Sequence, residues 1–590
     1  MDNRQPSADA GKAANARGRS VGGTGSIYRC TGTPKRDTPA VASTFVEPLT
    51  PMPSPADGSR FDRALAGLTP SQLVAVESTA HALCIVAGAG SGKTRVLTLR
   101  VARRIRDGSA DADHTVVCTF TRKAAHELRD RLALYGVTVS TPAGPGGVPS
   151  SGVRAGTLHQ LALTLLRRRA LDTGQAPPAL VEHRWRTLAD LTGDRSVASV
   201  ADTEIGWAKA RCLSPSRYEG AARAAGRQTE LAVDRVIEVF TNYQDLLARR
   251  SLLDLDDVLL HAADLLVGDA TFAEQAHWRY RHLAVDEFQD VNPAQFRLVQ
   301  AIMGERADLC AVGDPNQSIY GWNGADPGLL SALPDLVAGL EVVHLDRNHR
   351  CTPQVVTAAA AGLGDADVVP PGSAAADGPV PTLTAFDDDR AEAEAVAERI
   401  MARAEAGMAW SAQAVLARTH DQLAVIRRAL DSAGVPCRFA PAPEAPELPA
   451  VDAPVAPAGA RSKARTISTA GRGEAGGGVE LATFHRAKGL EWEAVSVVGL
   501  EEGFVPIIHA TTSESLAEER RLLYVALTRA ARVLECSWAR RRTMGSGRAM
   551  DRRPSAWLDE LAATCEPGVT RIERPDAADR FADLRTKLKG

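Results

Sequence analysis

Three short strings carry residues whose types and spacing could do chemistry on a phosphate. The first is Ala87-Gly88-Ala89-Gly90-Ser91-Gly92-Lys93-Thr94. It follows the apolar run Leu83-Cys84-Ile85-Val86 and leads into a segment with Val96, Leu97, Leu99, Val101 and Ile105. A glycine loop between a strand and a helix lets several backbone N–H groups point at one anion, and the helix dipole adds to them. In such a loop Lys93 reaches the β- and γ-phosphates and the Thr94 hydroxyl sits on Mg²⁺. Ala87 stands where the literal pattern has glycine, a departure of one methyl group. A glycine-rich turn with an accidental Gly-Lys-Thr is the competing reading, and the flanking strand and helix argue against it.

The second string, Leu283-Ala284-Val285-Asp286-Glu287-Phe288-Gln289-Asp290, is an apolar strand ending in adjacent carboxylates. One carboxylate at a strand's end can hold the Mg²⁺ that bridges β- and γ-phosphates, and the next can orient or deprotonate the attacking water. Asp286 is assigned to the metal and Glu287 to the base. The third string runs from Val312 to Ala325. It offers Gln317 for a phosphate or a water, and Tyr320 and Trp322 as flat faces on which bases can stack. Two aromatics in a loop also suit core packing, but aromatic residues are only 5% of this chain, which weakens that alternative.

These strings need elements to hold them. Thr69 or Ser71 can cap a helix entered by Gln72-Leu73-Val74. The β-rich run Thr115–Thr121 precedes a helix from Lys123, and Val153–His159 leads into another from Leu161 to Arg169. Strands alternating with helices predict a doubly wound parallel sheet. Residues 181–250 read as helical throughout, and the strand pattern resumes at His282, Leu309 and Val342. A second α/β unit starts near Asn348 and includes Ala414–Arg418. It is interrupted by an Ala/Pro/Gly stretch and resumes at Val479–Thr483. Order is expected to begin near Leu68, because the Gly/Ser/Thr/Pro-rich start cannot bury enough apolar surface to offset its ordering entropy.

At 590 residues the chain has room for several cores, and 44% hydrophobic with 24% charged residues is ordinary for globular protein. A net charge of −3 means that any nucleic-acid surface is a local patch. Nine scattered cysteines without a C-x-x-C pair argue against zinc and against a disulfide framework. No apolar run is long enough to span a membrane, and no signal-peptide core is present, so a cytoplasmic protein is expected.

The three strings, with Gln72, Thr119–Ala125, Gly156–His159, Leu345–Pro353, Thr483–Trp492 and Glu518–Ala530, occur in one order over about Leu68 to Leu558. In this the chain resembles superfamily 1 DNA helicases of the UvrD/Rep/PcrA type. Glu204–Lys209 and Cys536–Arg540 resemble an actinobacterial branch. The resemblance implies α/β architecture: two RecA-like P-loop NTPase lobes with parallel sheets, plus a helical insertion in the first. It places the first lobe at 61–175 and 256–346, with the insertion at 176–255. The second lobe falls at 347–440 and 479–565, around a linker at 441–478, with tails at 1–60 and 566–590.

The same resemblance implies roles. ATP and Mg²⁺ lie between the lobes, against Ala87, Gly88, Ala89, Gly90, Ser91, Gly92, Lys93, Thr94 and Arg95. Gln72 reads the adenine, and Arg350 and Arg529 act as arginine fingers in cis. Glu491 holds the nucleotide or couples it to DNA. Phe120, Tyr320 and Trp322 stack bases of single-stranded DNA, while Thr157, His159, Thr483 and His485 touch its phosphates. The implied activity is 3′ to 5′ movement on single-stranded DNA, with action at single-strand/duplex junctions, as a monomer with a repair protein as a possible partner.

Three departures stand out. His349 occupies the place of a tyrosine that stacks on adenine in the family, and Asn323 replaces an arginine after the Trp. The interval 441–478 holds a linker where the family inserts a helical subdomain. Two other readings follow: a partner-dependent motor that translocates without unwinding alone, and a non-enzymatic DNA-binding remnant. The presence of Lys93, Thr94, Asp286, Glu287, Gln317, Arg350 and Arg529 speaks against the second.

Overall fold

The apolar runs read above become the centres of two parallel sheets. The computed structural model describes residues 58–140, 151–364, 371–440, 477–543 and 548–568. In the first lobe the strands are β1 (Ala82–Ala87), β2 (Thr115–Thr119), β3 (Arg154–Thr157), β4 (His282–Val285), β5 (Leu309–Gly313) and β6 (Glu341–Leu345). They lie in the order β3-β2-β4-β5-β1-β6, every pair parallel. Such strands are covered on both faces, hence the unbroken apolar sequences Ala-Leu-Cys-Ile-Val-Ala and Thr-Val-Val-Cys-Thr. Alternate side chains divide between the faces. Leu83 and Ile85 share a core with Val96, Leu97, Leu99 and Leu128, whereas Ala82 and Cys84 belong with Leu161, Leu259 and Phe296.

The second lobe has seven parallel strands: β7 (Thr382–Phe386), β8 (Gln413–Ala417), β9 (Cys437–Phe439), β10 (Val479–Thr483), β11 (Trp492–Val497), β12 (Ala530–Ala539) and β13 (Glu566–Pro567). Their order is β9-β10-β8-β11-β12-β7-β13. Helices Pro353–Leu363 and Ser513–Leu527 cover one face, and Asp389–Glu405 with His420–Ser432 the other.

Four helices, Arg184–Thr192, Arg195–Ala210, Pro215–Ala224 and Val233–Arg250, form a separate core around Leu188, Ile205, Tyr218, Phe240 and Tyr243. Two-residue strands, Ala179–Leu180 and Leu252–Leu253, pair where the chain enters and leaves this insertion. The buried Lys209 ammonium lies 2.7 Å from Asp254 and 2.8 Å from Asp257, which ties the insertion back to the first lobe.

Two expectations need correction. Order begins before Leu68: a helix spans Gly58–Ala66, and its Phe61 is buried beside the Tyr135 ring and the Arg106 guanidinium. One buried aromatic in a helical turn outweighs the poor composition around it. At the other end, Glu566–Pro567 is β13 on the edge of the second sheet, where a tail was expected. The expected linker at 441–478 and the tail at 1–60 lie almost entirely outside the described residues. The expected pairing of α/β lobes with parallel sheets is what the structure has.

Candidate functional site

All six strands of the first sheet end on one edge, so the loops that follow them converge there, as ligand-binding loops of open parallel sheets do. The loop after β1 turns through Gly90 and Gly92 at φ +69° and +82°, a region that glycine enters without steric cost. At Gly90 a side chain is also excluded by space: a Cβ would meet Asn348 Oδ1 at 2.5 Å. Asn348 belongs to the crossing into the second lobe, and the next residue, His349, donates its N–H to Gly90 O at 2.8 Å. The phosphate-type loop is therefore pressed directly against the interlobe crossing.

Inside the loop, the Lys93 ammonium is buried and meets Ala87 O at 3.3 Å, Gly88 O at 3.4 Å and Asp314 Oδ2 at 3.8 Å. Thr94 donates its hydroxyl to Asp286 Oδ2 at 3.0 Å. Burial and the adjacent Glu287 push the Asp286 carboxyl up to about 7. Glu287 is half-buried, but Lys93 and Lys488 outweigh its desolvation and hold its carboxyl below the ordinary range. Glu287 also sits at φ +54°, which turns it away from the line of the strand. One hydroxyl and one carboxylate 3.0 Å apart, beside a buried ammonium and a curled glycine loop, fit a magnesium–triphosphate complex.

The second lobe closes the cleft with positive charge. Arg529 is fully buried, donating to Val525 O at 2.9 Å and Leu490 O at 3.1 Å, and its Nη2 reaches Gln317 Oε1 at 3.5 Å. Burial and Arg350 lower its guanidinium to about 10. Arg350 Nε lies 2.5 Å from Glu491 Oε2, though off the line of its N–H, so the contact is an ion pair without an aligned hydrogen bond. Lys488 Nζ donates to Asp290 at 2.6 and 2.7 Å and to Gln317 O at 2.6 Å, and sits 4.9 Å from the Tyr320 ring centroid. Burial pushes Asp290 up to about 6 against the pull of Lys488.

Gln72 and His349 are brought together. Thr69, of the two candidate caps, starts the helix Pro70–Glu77, and the Gln72 carbonyl accepts the Thr69 N–H at 3.1 Å. Gln72 Nε2 donates to Ser91 O at 2.8 Å and lies 3.2 Å from His349 Nε2. Burial, then Arg95 and Arg347, lower the His349 pKa, which favours a neutral ring. The Arg95 guanidinium donates to Ala64 O at 2.9 Å and Gly67 O at 3.4 Å, held by the N-terminal helix that the composition concealed, and its charge reaches His349.

The third string carries an aromatic ladder. Phe120 stacks on Tyr320 with centroids 5.6 Å apart and planes 7° from parallel, and Trp322 stands edge-on at 6.5 Å. Phe120 is 37% and Trp322 51% exposed, so this is not a core cluster. Thr157 is the register partner of Thr119, one residue from Phe120, and its hydroxyl caps the following helix through Gln160 N at 3.2 Å. His159 is half-buried, its pKa lowered by burial against the charges of Asp256 and Asp254. Thr483 ends β10 in the second lobe and His485 lies just beyond it, where burial, Arg418 and Lys488 lower His485 to about 4.

Several functional positions escaped sequence reasoning. Asp314 is buried, accepts Gln317 Nε2 at 2.6 Å and faces Lys93. Gln289 is buried and bridges two strings: Nε2 donates to Glu287 Oε2 at 2.5 Å, and Oε1 accepts the Asp314 N–H at 2.9 Å. From the second lobe, Glu518 accepts Gly321 N–H at 3.1 Å and Arg521 donates to Ser318 O at 2.7 Å, gripping the aromatic loop. Their only signal was membership of the matched strings. Gln289→Leu should leave nucleotide binding intact and lower the hydrolysis rate by about 10- to 100-fold, as losing a group that orients a reactive carboxylate does. A nucleotide-binding titration beside a steady-state rate would check it.

Comparison with known proteins came out consistent over most of the chain. Residues 68–337 match the model described as the UvrD/REP helicase N-terminal domain, and residues 343–441 and 467–541 match the UvrD-like helicase C-terminal domain. The chain is 35% identical over 602 residues to the "ATP-dependent DNA helicase UvrD2" of Mycobacterium tuberculosis, covering 88% of this chain and 85% of that protein. It is 32% identical over 388 residues to the "ATP-dependent DNA helicase PcrA" of Leuconostoc citreum, over 63% of this chain and 49% of that one. A Staphylococcus epidermidis "ATP-dependent DNA helicase PcrA" is 29% identical over 62% of this chain and 50% of its own length.

Proposed function

We propose, since this chain belongs to the UvrD/REP helicase family, that it is an ATP-dependent DNA helicase driven 3′ to 5′ along single-stranded DNA by hydrolysis in the interlobe cleft. One observation carries the reading. The loop 313–325 faces the cleft with Asp314 and Gln317 and carries the half-buried Tyr320, stacked on Phe120, and the exposed Trp322, so one short segment touches both candidate sites.

In this reading Lys93 and the loop N–H groups neutralise the triphosphate, Glu287 takes the proton of the attacking water, and Gln317 orients that water or a phosphate oxygen. Arg350 and Arg529 supply charge from the second lobe. Gln72 and His349 hold the adenine, with a neutral imidazole stacking over less area than a tyrosine. Thr94 and Asp286 would hold Mg²⁺, which supplies charge neutralisation between the phosphates.

Phe120, Tyr320 and Trp322 stack unpaired bases, and Thr157, His159, Thr483 and His485 lie along the strand's phosphates. Binding should weaken with salt as phosphate contacts release counterions. Trp322→Ala should weaken single-stranded DNA binding by about 1–3 kcal/mol, read by fluorescence anisotropy of a labelled oligothymidylate. A monomer acting at single-strand/duplex junctions in repair or replication fits this arrangement. Among the described residues no helix is long and apolar enough to cross a membrane.

A second reading is favoured by the interval 441–478, whose Ala/Pro/Gly composition leaves no room for the family's helical subdomain in the second lobe. In that reading the motor translocates and needs a partner to unwind. Unwinding assays on duplexes with a 3′ or a 5′ tail separate the two. Unwinding of the 3′-tailed substrate alone supports the first reading, DNA-stimulated hydrolysis without unwinding supports the second, and preference for the 5′ tail rejects the polarity.

A further inference from the structure

The edge of the first sheet opposite the ATP cleft also carries an organised basic and aromatic cluster. Strands β2, β3 and β4 begin there, with His282 paired in register with Thr115 and Arg154 with Val116. The helix Ala270–Arg279 ends on the same edge. Trp278 is 56% exposed, among the more exposed large apolar side chains described. Arg281 lies over its ring at 4.8 Å, and the His114 ring lies 4.9 Å away at 59°. His114 Nδ1 is buried without a hydrogen-bond partner.

Arg154 is close enough to Arg279 that, after burial, this like charge is the next cause lowering its pKa. The two like charges raise the local potential, and the Asp113 carboxylate near Arg154, whose guanidinium donates to Asp113 O, offsets it only in part. Among the described residues Arg154, Arg279 and Arg281 make no ion pair with a carboxylate. Asp113 is committed to the Ser151 hydroxyl at 2.8 and 2.9 Å and to Gly152 N, and Asp308 to Arg104 at 2.8 Å and His282 at 2.7 Å. In a chain of net charge −3, this is a local positive patch with an exposed indole at its centre.

We propose that Trp278, Arg279, Arg281 and Arg154 form a second contact for single-stranded DNA, separate from the aromatic ladder. The arginines meet phosphates and the exposed indole, with Arg281 over its ring, meets unpaired bases. Duplex DNA would use the arginines and leave the ring without a face to stack on, and an acidic peptide would do the same. The two edges are separated by the length of the strands, ~17 Å for five residues. A strand leaving the ladder can therefore reach the patch as part of the same molecule. The proposal rests on the reading of single-stranded DNA as the track, and its test separates the two.

The test compares the parent chain with Arg279→Glu/Arg281→Glu and with Trp278→Ala. Each is titrated, over a range of salt, with an oligothymidylate just long enough to saturate ATP hydrolysis, one several times longer, a duplex of the longer length and poly-glutamate. Expected is unchanged binding and stimulation by the short strand, which also shows that the fold is intact. The charge-reversed variant should bind the long strand more weakly, and its slope of log affinity against log salt should be shallower by about 1.4, two phosphate contacts at about 0.7 each. Arg279→Lys/Arg281→Lys should keep the parental slope. Equal long-strand affinity and slope in all variants would overturn the proposal, as would equal losses for both strands, or loss only of duplex or poly-glutamate binding. Failure of the short strand to stimulate the parent chain would instead reject the reading of the track.

Discussion

Replacing Lys93 with Ala should abolish ATP hydrolysis while leaving single-stranded DNA binding close to the parental value. The ammonium is buried at the base of the glycine loop, where its neighbours are two carbonyl oxygens and the Asp314 carboxylate at 3.8 Å. Without it, the developing charge on the phosphates loses a fixed cation at the base of the loop. Removing one preorganised charge-stabilising group of this kind costs at least about a hundred- to a thousandfold in rate. The aromatic ladder lies on the far side of the loop 313–325 and does not touch Lys93, so DNA affinity should change little. Hydrolysis at the parental rate by Lys93→Ala would remove the site assignment.

The second large effect is expected at Arg350. Its guanidinium is partly exposed, paired with the largely exposed Glu491, and one residue from the His349 N–H that holds Gly90 O. It can exchange Glu491 for a phosphate without leaving a buried charge behind. Arg350→Ala should lower the hydrolysis rate by about 10³-fold or more, the scale of an arginine finger, with nucleotide affinity changed only a few-fold. A titration with a fluorescent nucleotide beside single-turnover hydrolysis distinguishes this from a binding defect. Arg529 is a less clean test. It is fully buried and braces Val525 O and Leu490 O, so Arg529→Ala would also disturb the second core.

What the sequence made legible was what local rules encode. The Ala87–Thr94 loop, the carboxylates after β4 and the apolar strands each depend on residues within one strand–loop–helix unit, where spacing alone carries meaning. The aromatic ladder was half legible. Tyr320 and Trp322 sit together in sequence, but only the fold brings Phe120 to within 5.6 Å of Tyr320.

Contacts between distant segments were not legible from spacing. Gln289 acts on Glu287 two residues away, yet its other partner is Asp314. Asn348 matters because it fills the space beside Gly90, and Lys488 because it crosses between lobes to Asp290. Arg95 is a further case: it follows Thr94 in sequence, and its guanidinium donates to the helix Gly58–Ala66 at Ala64 O. That helix was itself hidden, because one buried Phe61 and its partner Tyr135 do not alter an average composition.

The central claim is that one loop joins an ATP cleft to a single-stranded DNA platform. Its most direct test is steady-state ATP hydrolysis, with Mg²⁺, by the full chain with and without an unstructured oligothymidylate, repeated with Trp322→Ala. The account predicts strong stimulation by the oligonucleotide, and a higher oligonucleotide concentration for half-maximal stimulation in the variant. Rates that are the same with and without DNA would contradict it.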